Sequence, residues 1–238
     1  MVSSVTEGLS LAHPDQNEIK NLFDAITDKY DFLNSFFSFG LDGYWRKKMV
    51  AFSLKGLERS ILDLGAGTGK SLEAFLEAHQ FEQAVGCDFS EPMIEKAKHR
   101  IGNRAEFMCC DFHSLPFPHQ TFDIVTGSFI LRSVQDMSHF LMEIKRVLKP
   151  GGKAVFLELT RPANPFVWAL FKPYLQFYIP FIGKIFSRHD EAYQFLSESI
   201  QAFMTLKELE AKFLEVRFKQ VSIKPLTFGA AAIVEGRL

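Results

Sequence analysis

From Ser60 onward, the chain alternates short apolar segments that favour β-strands with longer segments that have the spacing of amphipathic helices. The predicted strands cover residues 61–64, 83–87, 105–110, 122–128 and 153–159. The predicted helices between them cover residues 71–79, 92–101 and 137–148. Alternation of this kind is typical of parallel strands joined by crossover helices. We therefore expect an α/β fold built on an open, doubly wound sheet.

The first predicted strand leads into a glycine-rich turn within SILDLGAGTGK, residues 60–70. A dinucleotide-binding turn has the spacing G-x-G-x-x-G, whereas Gly65, Gly67 and Gly69 have the spacing G-x-G-x-G. A phosphate-binding loop that ends in Gly-Lys-Ser needs a glycine at position 64, which is Leu64 here. Both nucleotide-binding motifs are therefore disfavoured.

S-adenosylmethionine, which carries no phosphate, fits the predicted strand ends better. Asp63 would pair with its ammonium group, and the backbone N–H groups of residues 65–69 with its carboxylate. Asp88, after the second strand, would accept hydrogen bonds from the ribose diol. Asp111 and Phe112, after the third strand, would hold the adenine. Because ligands of open α/β sheets bind at the carboxyl ends of the strands, we expect these groups to converge on one S-adenosylmethionine molecule.

The composition of the chain limits which ligands and partners are expected. The formal net charge of −1 gives no long-range attraction for nucleic acid. The cysteines lack metal-ligand spacing, so we expect no metal site and reduced thiols in a cytoplasmic protein, with Cys109 and Cys110 on a buried strand. The first 19 residues lack the basic and apolar regions of a secretory signal.

One aromatic segment, residues 164–186, stands out in a chain with 26 phenylalanines. It contains three prolines and two lysines, which argue against a helix that spans a membrane. We expect this segment to line an apolar pocket or to lie at a membrane surface. Ordinary core packing remains an alternative for any single phenylalanine in it.

These segments are expected to form one domain over residues 1–238. Its predicted parts are a helical N-terminal region (1–59), a cofactor-binding core (60–160), an insertion on the substrate and membrane side (161–204) and a closing helix with a strand pair (205–238). The closing helix begins at Thr205, where Glu208 completes a capping box. The two closing strands, 218–224 and 228–235, are predicted to pair antiparallel.

At this point the chain resembles the class I S-adenosylmethionine-dependent methyltransferases, and more closely the ubiquinone/menaquinone biosynthesis C-methyltransferase family. The resemblance runs from about Phe23 to nearly the C-terminus. It rests on the motifs KYDFLN (29–34), SFGLDGYWRK (38–47), LDLGAGTGK (62–70), LPFPHQTFD (115–123), SFILRSV (128–134), RVLKPGG (146–152), LELTRP (157–162), YIPFIGKI (178–185) and DEAYQFLSESI (190–200). It implies a Rossmann-like sheet of seven mostly parallel strands.

The resemblance also implies which residues contact the methyl donor, and it adds Thr68 and Ser128 to the groups at the strand ends. The predicted cofactor site comprises Asp63, Gly65, Gly67, Thr68, Gly69, Asp88, Phe89, Asp111, Phe112 and Ser128. The family's activity implies a substrate that is a polyprenylated benzoquinol or naphthoquinol, methylated on a ring carbon. Such a substrate implies peripheral contact with a membrane, and a homodimer is compatible with the sequence.

Three candidate catalytic residues follow from the implied chemistry, since the acceptor hydroxyl must lose a proton. Arg132 would stabilise the resulting anion or form an ion pair, Glu158 would act as a base or as a structural acceptor, and Tyr30 would assist from the N-terminal helices. The chain departs from the family at Ile130, where glycine is usual, and at Ser133, where asparagine is usual. Methylation of another small apolar acceptor and non-catalytic binding of S-adenosylmethionine remain alternatives.

Overall fold

The computed structural model describes residues 16–179, 181 and 190–238, and the predictions for the N-terminal signal and for most of the motif at 178–185 lie outside them. Its sheet contains the strands β1 (Ser60–Leu64), β2 (Gln83–Asp88), β3 (Glu106–Cys109), β4 (Phe122–Ser128), β5 (Leu148–Leu159), β6 (Gln220–Leu226) and β7 (Ala231–Arg237). Its helices are α1 (Gln16–Ile26), α2 (Tyr30–Phe37), α3 (Leu41–Ser53), α4 (Lys70–Ala78), α5 (Glu91–Ile101), α6 (Met137–Val147), α7 (Pro165–Pro173), α8 (Asp190–Ala202) and α9 (Leu206–Glu215).

The seven strands form one sheet in the order β3-β2-β1-β4-β5-β7-β6. Strands β1 to β5 are parallel, and β7 runs antiparallel between β5 and β6. The order reverses direction at β1, which pairs with both β2 and β4. Such a reversal opens a crevice at the carboxyl ends of the neighbouring strands. The predicted doubly wound, mostly parallel sheet is confirmed.

Both faces of the sheet are covered by apolar side chains. On one side, Phe140 of α6 and Phe213 of α9 pack on Phe156 of β5. On the other side, Trp45 of α3 and Phe75 of α4 belong to a second buried cluster. Strands that are buried on two faces read as continuous apolar runs, which is why their positions could be predicted.

Side-chain caps mark the N-termini of α5, α7 and α9, and the cap of α9 is the one that the sequence analysis above predicts. The Ser90 hydroxyl accepts a hydrogen bond from the Met93 backbone N–H at the start of α5. Thr205 and Glu208 form the predicted capping box at the start of α9. Asn164 caps α7 in the same way, by accepting from the N–H groups of residues 166 and 167. Each cap satisfies backbone donors that a helix leaves unpaired at its N-terminus.

Several sequence predictions about the strands are wrong: β5 begins at Leu148 rather than at position 153, and β6 spans Gln220–Leu226 rather than 218–224. Strand β7 begins at Ala231 rather than at position 228, because Thr227 (φ 45°) and Phe228 (φ 55°) adopt left-handed conformations that a strand cannot contain. Cys109 is exposed and Cys110 only partly buried, because β3 is the edge strand of the sheet. Only Cys87, on the interior strand β2, behaves as a buried apolar residue.

The insertion after β5 packs on the N-terminal helices. A π-helical turn, Tyr174–Tyr178, follows Pro173 at the end of α7. Proline lacks a backbone N–H and disrupts regular α-helical bonding, which favours such a turn. Leu175 of this turn is buried in a cluster with Leu33 and Phe37 of α2. Within the described residues, no helix has the length and apolar character needed to cross a membrane.

Candidate functional site

The glycine-rich turn between β1 and α4 has a backbone that only glycine adopts readily. Gly65, Gly67 and Gly69 have φ angles of 62°, 53° and 86°. A Cβ atom at Gly65 would lie 2.2 Å from Cγ2 of Ile130, so a side chain there has no room. At Gly67 the nearest atom would be Cε1 of Tyr30, at 3.8 Å. The turn therefore presents bare backbone in the crevice, close to the first turn of α2.

Asp63 is a fully buried carboxyl group on β1. Neither of its oxygens meets hydrogen-bond geometry with any partner in the described part of the chain. Burial raises the pKa of Asp63 to about 8, and the negative charge of Asp88 adds to this, whereas Arg46 and the Leu72 backbone N–H act in the opposite sense. A buried carboxyl without a partner is costly, so its place beside the bare turn fits a cationic ligand group such as an ammonium.

Asp88 connects the end of β2 to the glycine-rich turn. Its Oδ2 accepts a hydrogen bond from the Gly67 backbone N–H at 2.7 Å, and its Oδ1 accepts one from the Ser90 N–H at 3.0 Å. Burial raises the pKa of Asp88 although these N–H groups oppose the shift. Each carboxylate oxygen has a further lone pair, so this group remains able to accept from a diol.

Thr68, which is predicted to contact the methyl donor, contacts the N-terminal helices. Its hydroxyl donates to Oδ1 of Asp31 at 2.6 Å. Asp31 also forms an ion pair with Arg100 of α5, and Lys70 lies 3.8 Å from it. Asp31 thereby ties α2 to the glycine-rich turn, to α4 and to α5.

Ser128, at the end of β4, belongs to a buried polar chain. Its hydroxyl accepts from Ser71 Oγ at 2.8 Å, Ser71 accepts from Arg46 Nε at 3.0 Å, and Arg46 pairs with Asp42 at 2.6 Å. The sequence did not predict this series of hydrogen bonds from Ser128 to Asp42. The four-residue spacing of Asp42 and Arg46 on a predicted helix was the one available signal, since such pairs share a helix face.

Two predicted aromatic residues lie together at the ends of β2 and β3. The rings of Phe89 and Phe112 are 6.3 Å apart, and Phe23 of α1 lies 6.2 Å from Phe89. Asp111 is exposed, and its Oδ1 accepts from the His113 backbone N–H at 2.9 Å. This arrangement offers an apolar slot with a carboxylate at its edge.

A largely apolar cavity of about 350 Å³ lies beside the ends of β4 and β5. It is enclosed by the N-terminal helices, the insertion and the β6–β7 turn. Its lining consists of Asn34, Phe37, Ser38, Phe39, Leu41, Asp42, Trp45, Phe129, Arg132, Leu159, Pro162, Val167, Leu170, Phe171, Tyr174, Leu175, Ile179, Leu196, Ile200, Thr227, Phe228 and Ala230. The sequence predicted that the aromatic insertion lines a pocket, but not that α2, α3 and the β6–β7 turn contribute.

Phe177 and Phe181 of the aromatic segment are exposed and lie outside this lining. Ile130 lies outside it too, and packs instead against Gly65 and Gly127, where added Cβ atoms would be 2.2 and 2.7 Å from its side chain. The departure at this position therefore affects the wall of the crevice. The sequence also suggests that His189, Asp190, Glu191 and Tyr193 either reach the acceptor ring or form a solvated polar face. His189 and the side chains of the other three lie outside the described residues.

Arg132 and Glu158 form an ion pair between a short turn after β4 and strand β5. The Arg132 guanidinium and Glu158 Oε1 are 2.5 Å apart, and both side chains are buried. Glu158 also accepts from the backbone N–H groups of Arg132 (3.3 Å) and Leu159 (2.8 Å). The pair is thus not at the surface, and Glu158 acts as a structural acceptor in this arrangement. The Arg132 Nε has no hydrogen-bond partner among the described residues, although it is buried.

Tyr30 stands between the turn and the cavity. With Asn34 and Arg132 it lines a second, smaller cavity of about 40 Å³ next to the large one. Burial raises the pKa of the Tyr30 hydroxyl, so the phenol is neutral at physiological pH. In the described part of the chain, no cluster of His, Cys, Asp or Glu side chains could hold a metal ion.

Comparisons with known proteins agree with this geometry. Residues 12–237 match the ubiE/COQ5 methyltransferase family. The chain is 38% identical over 218 residues to the demethylmenaquinone methyltransferase of Thermotoga maritima, covering 91% of this chain and 94% of that protein. It is 35% identical over 216 residues to the ubiquinone/menaquinone biosynthesis C-methyltransferase UbiE of Desulfotalea psychrophila, covering 90% and 88% of the two chains.

A crystal structure of an S-adenosylmethionine-dependent methyltransferase from Thermotoga maritima has a TM-score of 0.66 at 17% identity, over 92% of this chain and 99% of that one. At this identity the likeness concerns the fold alone. The family match over nearly the whole chain and the two relatives carry the further conclusion. The chain belongs to the ubiE/COQ5 methyltransferase family and is an S-adenosylmethionine-dependent methyltransferase.

Proposed function

We propose that this enzyme methylates a ring carbon of a polyprenylated quinol, a demethylmenaquinol or a polyprenyl-methoxybenzoquinol, in menaquinone or ubiquinone biosynthesis. The names of both relatives support a quinone substrate. The observation that carries the proposal is the cavity of about 350 Å³, which combines apolar walls with the guanidinium of Arg132. A quinol needs apolar walls for its ring and tail, and a few polar groups that fix its hydroxyls.

The residues at the strand ends fit the methyl donor. We propose that Asp63 binds its ammonium group, that Asp88 binds its ribose diol, and that Phe89 and Phe112 enclose its adenine, with Asp111 at the edge. The backbone at Gly65, Gly67, Thr68 and Gly69 would receive its carboxylate, and Ser128 would close the site from β4. When bound, the donor supplies an electrophilic methyl group on a sulfonium.

The chain's own residues would prepare the acceptor. Arg132 lies in the cavity lining, where its charge would stabilise the anion formed when a quinol hydroxyl loses its proton. Glu158 acts through Arg132, since it fixes the guanidinium with a charge-assisted bond. It is a positioning residue in this proposal, and not a base.

Tyr30, which lines the smaller cavity together with Arg132, would assist the loss of the proton from the quinol hydroxyl. Because its phenol is neutral, it can donate a hydrogen bond but is a poor base. The small cavity that it shares with Arg132 and Asn34 has room for a water molecule. We propose that a water molecule there would relay the proton of the quinol hydroxyl to bulk solvent, so that the O–H bond breaks and the quinolate is left beside Arg132.

We further propose that residues 1–238 act as one methyltransferase domain, and that the enzyme contacts the membrane in which its acceptor resides. Both suggestions follow from the substrate and from the insertion that encloses the cavity. The predictions of a homodimer, of a cytoplasmic location and of no binding to nucleic acid stay predictions.

Turnover of quinols with and without a prenyl tail tests the proposed function. In detergent solution, the wild type should use a tailed quinol with a higher kcat/KM than its tail-less analogue, because each buried CH₂ contributes about 0.8 kcal/mol. Phe171→Ser should reduce this preference, since Phe171 lines the cavity.

The matched control is Phe177→Ser, because Phe177 lies on the adjoining turn but outside the lining. It should keep the preference for the tailed quinol, and both variants should keep their affinity for S-adenosylhomocysteine. Equal use of both acceptors by the wild type would favour methylation of another small apolar acceptor instead.

A further inference from the structure

Three exposed apolar side chains from distant parts of the chain surround the mouth of the large cavity. They are Phe39 after α2, Leu170 on α7 and Phe228 in the β6–β7 turn, with exposed fractions of 70%, 67% and 86%. All three also line the cavity. We call these three residues the cavity rim. Large apolar side chains that are exposed together mark a surface that contacts an apolar partner.

The fold holds two rim residues in backbone conformations that aromatic residues rarely adopt. Phe39 and Phe228 have φ angles of 53° and 55°. Such conformations cost free energy and persist only where the surroundings enforce them. Here the Trp45 indole donates to the Thr227 hydroxyl at 2.8 Å, and the Phe39 ring packs 5.7 Å from that of Tyr174. The rim is thus a built feature and not the by-product of a relaxed loop.

In the three chain segments that carry the rim residues, the exposed charged side chains have one sign. The three rim segments are residues 39–48, residues 161–179 with 181, and residues 224–230. Their exposed charged side chains are Lys47, Lys48, Arg161, Lys172 and Lys224. The one acidic residue in these segments, Asp42, is buried and paired with Arg46. The chain as a whole has 27 basic and 28 acidic residues, so this basic collar is a local departure from the average.

We propose that the cavity rim docks on the surface of an anionic lipid bilayer. The inference rests on the proposed function, since a polyprenyl acceptor resides in a membrane and must reach the cavity through its mouth. Apolar side chains at the tip and cations around them are the features of interfacial membrane binding. A symmetric contact between two copies through the rim would place the same cations against each other, so a second copy is the weaker candidate.

Vesicle co-sedimentation of the full chain, without any quinol, tests this surface. The wild type should bind vesicles that contain phosphatidylglycerol more tightly than vesicles of phosphatidylcholine alone, and added salt should weaken the difference. The double variant Phe39→Ser/Phe228→Ser should lower the affinity by roughly tenfold or more. The triple variant Lys47→Gln/Lys172→Gln/Lys224→Gln should abolish the preference for phosphatidylglycerol.

The matched control is Leu57→Ser/Leu214→Ser, which removes apolar side chains that are 86% and 51% exposed but do not line the cavity. It should bind vesicles like the wild type. Affinity for S-adenosylhomocysteine checks that each variant is folded. The docking surface is overturned if the wild type binds neither kind of vesicle, if the rim variant binds as tightly as the wild type, or if the rim variant changes only the oligomeric state.

This test separates the inference from the proposed function. Vesicle binding by a protein that turns over no tailed quinol in detergent would leave the docking surface standing and overturn the substrate. A protein that turns over the tailed quinol in detergent but does not bind vesicles would support the proposed substrate and overturn the docking surface.

Discussion

At the scale of single residues, Asp63 is the buried carboxyl group of the site with a strongly raised pKa. The carboxyl is fully buried and holds a proton up to a pH of about 8 in the protein without donor. In the unfolded chain the same group loses its proton near pH 4. Between these values the folded state binds the extra proton, so the stability of the donor-free protein should fall as pH rises from about 4 to about 8. A bound ammonium group would favour the carboxylate form of Asp63 over its protonated form.

Donor affinity should therefore depend on pH. We expect the Kd of S-adenosylhomocysteine to decrease as pH rises from about 6 to about 8, by up to about tenfold per pH unit, because only the carboxylate form of Asp63 pairs with the ammonium. Calorimetric titration across this range measures the slope, and the slope should vanish in Asp63→Asn. An equally steep slope in that variant would assign the titrating proton to another group.

A second prediction for a single residue concerns Glu158. Glu158→Gln keeps one acceptor oxygen, so only one of the two backbone N–H groups retains its partner, and it removes the charge that neutralises Arg132. We expect a loss of stability of up to about 3–5 kcal/mol, because a buried charge is left unpaired. Turnover should fall while the shape of the kcat–pH profile stays the same. Disappearance of the acidic limb of that profile would make Glu158 the base.

At the scale of elements, the N-terminal helices cover the donor turn. Asp31 of α2 binds the Thr68 hydroxyl on the turn and the Arg100 guanidinium on α5. Phe23 of α1 packs on Phe89, and Tyr30 lies next to Gly67. A donor that binds at these residues must pass this cover, so opening of α1 and α2 should accompany exchange of the donor for its product.

Loss of the Asp31 carboxylate should weaken this cover. Asp31→Asn removes charge-assisted bonds worth about 1.5–3 kcal/mol, so hydrogen exchange in α1 and α2 should accelerate roughly tenfold or more. Asp28→Asn is the control, because Asp28 pairs with Lys96 of α5 at 2.8 Å but is almost fully exposed. That variant should exchange like the wild type. Similar acceleration in both would mean that general charge, and not the Thr68–Asp31 contact, holds the helices down.

The sequence predicted the sheet better than it predicted the cavity, for a physical reason. Each parallel strand carries its own apolar run, and its turns carry their own glycines and caps, so local pattern was sufficient there. The cavity depends on contacts between remote residues. Tyr174 donates to the Phe37 carbonyl across 137 positions, and Trp45 binds Thr227 across 182. No local periodicity encodes such contacts.

At the scale of the whole molecule, the sheet places two unlike environments side by side. The ends of β1 to β3 form a polar crevice around Asp63 and Asp88, whereas the ends of β4 and β5 open onto the apolar cavity with Arg132. Helices α1 and α2 cover the first, whereas α2, α3, the insertion and the β6–β7 turn enclose the second. This arrangement suits a reaction between a charged, water-soluble donor and a lipid acceptor, and it is the basis of the proposed function.

The quinone content of a strain from which the gene for this chain has been deleted tests that proposal most directly. We predict that the deletion strain accumulates a prenylated quinone that lacks one ring methyl group. Expression of the wild-type chain should restore the methylated quinone, and expression of Asp63→Ala should not, because the buried carboxyl that would hold the donor is lost. An unchanged quinone profile in the deletion strain would contradict the account.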